Sequence, residues 1–113
     1  MSDTCSIRAS DLALAREFVQ RLTARVDERI LKVTLCGSRA RGDAHEESDL
    51  DLFVAVNRDD PERGVEQAAF GIACDLTLES GILVSVLVAD QAFLRRHEGF
   101  AFLEAVEEEG IPL

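Results

Sequence analysis

The sequence predicts a small α/β fold in which one sheet of three or more strands is flanked by helices. Two observations carry this. Residues 32–36, 50–56 and 82–89 are apolar runs of strand length, and the segments 12–30 and 65–76 repeat apolar residues every three or four positions. Strand-like runs separated by segments of helical period are the pattern of a sheet covered by helices. A chain of 113 residues suits a single domain spanning 1–113, with no repeat, linker or low-complexity block to divide it.

Taken in order, Ser10 is placed to cap a first helix whose stripe is Leu12, Ala15, Phe18, Val19, Leu22, Val26 and Ile30. That stripe should lie on the sheet. Arg16, Arg21, Arg25 and Arg29 fall largely on the other faces and read as a solvated helix surface. The first strand, 32–36, ends at Gly37-Ser38, where the missing side chain lets backbone N–H groups approach an anion. The second strand follows Asp49. With a side-chain period of two, Asp49 and Asp51 face one way and Leu50 and Leu52 the other.

Residues 57–61, Asn-Arg-Asp-Asp-Pro, stop that strand, and Pro61 suits the first turn of a helix reaching Ser80. Val65, Ala68, Ala69, Ile72, Ala73 and Leu76 form its apolar stripe, and Gly81 provides the exit. The run 82–89 is broken only by Ser85, which predicts a third strand buried on much of both faces. A short last helix should close the sheet with Phe93, Phe100, Phe102, Leu103 and Val106, leaving Glu107, Glu108 and Glu109 in solvent.

The chemistry concentrates in residues 37–51, Gly-Ser-Arg-Ala-Arg-Gly-Asp-Ala-His-Glu-Glu-Ser-Asp-Leu-Asp. Two ionised carboxylates about 7 Å apart on one strand face repel each other, and burying them without a counter-charge is costly. A divalent cation removes the conflict. Oxygen ligands favour Mg²⁺ or Mn²⁺, and Mg²⁺ takes one or two carboxylates and fills its shell with water and substrate phosphates. The spacing therefore predicts phosphoryl or nucleotidyl transfer.

Gly37-Ser38-Arg39-Ala40-Arg41-Gly42 followed by Ser48-Asp49-Leu50-Asp51-Leu52 resembles the signature of the DNA polymerase beta-like nucleotidyltransferase superfamily, above all its minimal single-domain prokaryotic (MNT) members. The resemblance implies a nucleotidyltransferase fold with a small mixed sheet. It implies Mg²⁺- or Mn²⁺-dependent transfer of a nucleoside monophosphate from a triphosphate, expected to be ATP, to a hydroxyl acceptor. Asp49 and Asp51 would be the catalytic metal ligands, and Gly37 and Ser38 would contact the β- and γ-phosphates. Ser48, Arg39 and Arg41 would complete the nucleotide side, with one arginine on phosphate and the other a structural anchor. The family also implies a partner, a helical HEPN-type toxin neutralised by attachment of AMP. Larger relatives hold the acceptor with an added domain, so that surface should come from a second chain or another copy of this one.

Active members carry a third carboxylate on the next strand, where this chain aligns Ser85. Asp90 lies five residues on, about 16 Å along an extended strand, and Asp75 and Glu79 belong to the preceding helix. Asp43, Glu46 and Glu47 sit in the signature loop. The alternative to an enzyme is a nucleotide-binding or masking partner whose catalysis has decayed.

Twelve basic against twenty-two acidic residues give a net charge of −10, which opposes general adhesion to DNA or to an anionic membrane. No 18-residue apolar stretch and no signal sequence is seen, so a cytoplasmic location is expected. Cys5, Cys36 and Cys74 read as free thiols, Cys36 as a small buried residue at a strand end. His45 and His97 read as exposed, and zinc or Ser-His-Asp chemistry lacks its residues. With no Trp or Tyr and Phe at core spacing, no aromatic platform for a base is evident.

Overall fold

The computed structural model describes residues 8–26, 30–41, 48–57, 59 and 63–113. Their order is α1 (Ala9–Val26), β1 (Ile30–Cys36), α2 (Ser38–Arg41), β2 (Leu50–Val56), α3 (Gly64–Ser80), β3 (Val84–Ala89), α4 (Gln91–Arg96), α5 (Ala101–Glu109) and β4 (Ile111–Pro112). The sheet runs β3-β2-β1-β4. β1 pairs antiparallel with β2 and β4, while β2 and β3 are parallel because α3 crosses between them. The fold is thus the helix-flanked sheet that the apolar runs predict, and it is mixed as the resemblance implies.

β2 is the hub. Its even residues Leu50, Leu52, Val54 and Val56 enter the main core with Val33 and Leu35, against Ala15, Phe18, Leu22 and Val26 of α1 and Val65, Ala69, Ile72, Ala73 and Leu76 of α3. Its odd residues Phe53 and Ala55 face the other way, into a smaller cluster with Ala89 and Val106. Asp51 belongs to this second, thinly covered face. The two faces are joined at the ends by specific bonds. Thr77 Oγ1 donates to Ala73 O at 2.8 Å and accepts from Val84 N at 3.0 Å, so the last turn of α3 fixes the start of β3. Gln91 Nε2 donates to Val56 O at 2.7 Å.

Several expectations are corrected. Helix α1 starts at Ala9, which puts Ser10 within its first turn, and Ile30 opens β1 opposite Val56 instead of ending the helix. β3 is an edge strand among the described residues, and Ser85 and Leu87 are exposed because they stand on the thinly covered face that carries Asp51 and Phe53; it is not buried on both faces. The last helix is two, α4 and α5, interrupted at Gly99 with φ +84°. Phe100 and Phe102 are about half exposed and do not enter the core. His97 is not a free surface ring. It stacks on Phe93 at 4.2 Å and takes the edge of Phe100 at 4.9 Å. β4 is absent from the sequence prediction altogether. Cys5, Arg29, Gly42, Asp43, His45, Glu46, Glu47 and Pro61 lie outside the described residues, as do the side chains of Ser38 and Arg41.

Candidate active site

The site forms where β1 ends, β2 begins and β3 begins, three points that the register brings side by side. Asp51 is the sheet partner of Cys36 on one flank and of Ser85 on the other. Ser85 therefore stands beside Asp51 on the adjacent strand, where the sequence alignment put it. Asp90 is far from this end: it caps α4, its carboxylate accepting from Phe93 N at 2.8 Å. Among the described residues no group of three His, Cys, Asp or Glu side chains is arranged to hold a metal ion.

Gly37 is required here for two reasons. Its φ is +77°, which L side chains rarely adopt, and a Cβ at this position would collide with the Asp51 carboxylate. The turn and the carboxylate are thus in direct contact, with Gly37 O accepting from Ala40 N at 3.1 Å as the chain enters α2.

Asp49 is exposed and Asp51 half-buried, and neither forms an ion pair with a described residue. Burial first, and the neighbouring Asp49 carboxylate second, hold the Asp51 carboxyl above its ordinary value. Two adjacent carboxylates with no cation beside them among the described residues are a donor set that fits Mg²⁺ or Mn²⁺, with substrate oxygens completing the shell. Beside them, Cys36 Sγ donates to Asp51 O at 3.5 Å, and burial pushes its thiol up to about 11. At neutral pH Cys36 is a protonated floor residue.

The expected division between the two arginines resolves for Arg39, and against a phosphate role for it. The residue is 2 % exposed, with Nη1 donating to Asp11 Oδ1 at 2.7 Å and Nε and Nη2 donating to Ser48 O at 2.9 and 2.7 Å. A guanidinium so occupied ties α1 to the strand entry and cannot swing toward a ligand. Ser48 contributes its carbonyl to this anchor. Asp11, a buried carboxylate in the first turn of α1, is the functional support that sequence reasoning missed; an Asp within an apolar stripe, next to the capping position, was the available signal.

A groove of about 470 Å³ opens from Gly37 and Asp51 across Ser85 to Leu87, Phe102 and Glu109, between the sheet and α5. Phe102 meets Phe53 edge-on at 6.1 Å, so the groove has an aromatic wall although composition suggested none.

A family model described as a nucleotidyltransferase domain matches residues 15–109. The chain belongs to this family. A Methanocaldococcus jannaschii protein with the provisional name protein adenylyltransferase (MJ0604) is 30 % identical over 84 % of this chain and 89 % of its own length. A solved structure provisionally described as a minimal nucleotidyltransferase is similar at 28 % identity and TM-score 0.56, over 91 % of this nucleotidyltransferase and 95 % of that chain. A mutant of the toxin-antitoxin MntA-HpeT shares the fold, with TM-score 0.57 and 17 % identity over 87 % of this chain and 70 % of that one. Among the described residues no helix is long and apolar enough to cross a membrane.

Proposed function

We propose that this nucleotidyltransferase moves a nucleoside monophosphate from ATP to a hydroxyl on a separate protein, and that the acceptor is a helical toxin of HEPN type. The observation that carries the reading is the Asp49–Asp51 pair, which forms no ion pair with a described residue and whose Asp51 lies against the side-chain-free turn at Gly37. A pair with only a structural role would be neutralised by Arg39 or Arg41, and of these Arg39 is committed to Asp11 instead.

Asp49 and Asp51 would hold Mg²⁺ or Mn²⁺, which when bound neutralises the triphosphate and polarises the α-phosphoryl group. The chain's own contribution is positional. Backbone at Gly37 lies open to the β- and γ-phosphates, which puts the leaving pyrophosphate over β1. In-line displacement then brings the attacking oxygen from the opposite side, over β3, along the groove past Ser85 and Leu87. The acceptor oxygen bonds to the α-phosphorus as the bond from that phosphorus to the pyrophosphate oxygen breaks. The hydroxyl proton passes to solvent or to the partner, since the Ser85 hydroxyl is too weakly basic to take it.

The place of Ser85 also favours a second reading, a binding partner that masks the toxin without modifying it. Loss of one anionic ligand costs on the order of 10²- to 10⁴-fold in rate. Incubation with α-labelled ATP, Mg²⁺ and the purified toxin separates the two. Label on the toxin, absent when Asp49 and Asp51 are both Asn, supports the enzyme; a tight complex without label supports masking.

A further inference from the structure

Helix α3 packs one face on the core through Val65, Ala69, Ile72, Ala73 and Leu76. Its outer face should then be polar, as for any helix at a protein surface. Beyond the exposed Gln67 it is not. Phe70, Cys74 and Leu78 recur at four-residue spacing and are exposed, Phe70 by 48 % and Leu78 by 79 %. Between them, also exposed, is Gly71.

Gly71 has no internal explanation. It lacks a positive φ, and a Cβ built there would meet nothing within 4 Å. A glycine in mid-helix costs roughly 1 kcal/mol relative to alanine. The free chain would be better served by any ordinary helix former. Close approach of another backbone is the physical use of such a position, and its flanking Phe and Leu supply the apolar contact that would hold that backbone in place.

The rim of the stripe is acidic. Glu66 lies on one side and Asp75 on the other, and neither forms an ion pair with a described residue; Glu79, further round, is bound to Arg21 at 2.9 Å. A second copy would bring the same acids against these, on a chain already at −10. We infer that the outer face of α3 is a docking surface for a helix of another protein, one with an apolar ridge flanked by Lys or Arg that crosses over Gly71. The surface lies on the opposite side of the sheet from the groove at Asp51, so a partner can be held here without covering the nucleotide site.

The test places a photo-crosslinking amino acid at Phe70 or Leu78 of the full chain in cells of the source organism. The crosslinked protein is then purified, and its affinity is measured for the unmodified chain, Gly71→Gln and Leu78→Gln. Gln is a good helix former, so Gly71→Gln should raise the melting temperature of the free chain, which separates binding from folding. The inference requires both positions to capture the same protein, a loss of roughly tenfold or more in affinity with each variant, and association that slows as salt rises. It is overturned by capture of a second copy of this chain, by no capture from either position, or by a captured protein that binds Gly71→Gln as well as the unmodified chain.

Discussion

Asp51 sits in an environment that disfavours its own charge, and the direction of that effect can be read from stability. Its carboxyl titrates higher in the folded chain than in the unfolded one, so its favourable contribution is complete at low pH and is lost as pH rises through the folded value. At neutral pH Asp51 therefore destabilises the metal-free protein. Asp51→Asn should raise the melting temperature at pH 7 by on the order of a degree or two, and the gain should vanish near pH 3. Scanning calorimetry at the two pH values checks this. Arg39 predicts the reverse kind of result. Arg39→Met leaves Asp11 as a buried charge without its partner, which should cost about 3–5 kcal/mol in a urea melt although no ligand contact is removed. The turn at Gly37 after β1 and the place of Asp51 near the start of β2 were legible from residue type and spacing. The role of Arg39 was not, because its partner Asp11 lies 28 residues away on another element and only the fold brings them together.

At the scale of elements, long periodic segments were readable and short or interrupted ones were not. α1, α3, β1 and β2 emerge from periodicity because each carries enough apolar residues to bury one face. β4 has two residues and no pattern of its own; it exists because Gly110 lets α5 close onto β1, where a Cβ would strike Thr34 and the Val106 carbonyl. Gly110→Val should detach that end and lower stability by roughly 2 kcal/mol, measurable by denaturant melting. The burial of β3 was overestimated because apolar composition cannot distinguish a covered strand from an edge strand that lines a groove. Its parallel register nonetheless places Ser85 beside Asp51. Ser85→Asp should then increase label transfer by about tenfold or more, since it adds a carboxylate on the attack side. A fall in activity with folding and metal binding intact would mean that Ser85 is not the missing position.

The molecule as a whole divides its labour between two sides of one sheet. The side under α1 and α3 is a packed core, while the side bearing Asp51 is left open as a groove under α5. The described residues form one sheet with its covering helices and no separate unit that would align an acceptor, and alignment is worth several kcal/mol of barrier. Incubation with ATP and Mg²⁺ should therefore leave the chain's own mass unchanged by mass spectrometry; stoichiometric self-labelling that depends on Asp49 would show that no partner is needed. The central claim concerns the carboxylate pair itself, and titration calorimetry of ATP with and without Mg²⁺ tests it most directly. The account predicts Mg²⁺-dependent binding to the unmodified chain that disappears in Asp49→Asn/Asp51→Asn while the melting curve shows a folded protein. Equal Mg²⁺-dependent affinity in the folded double variant would contradict it.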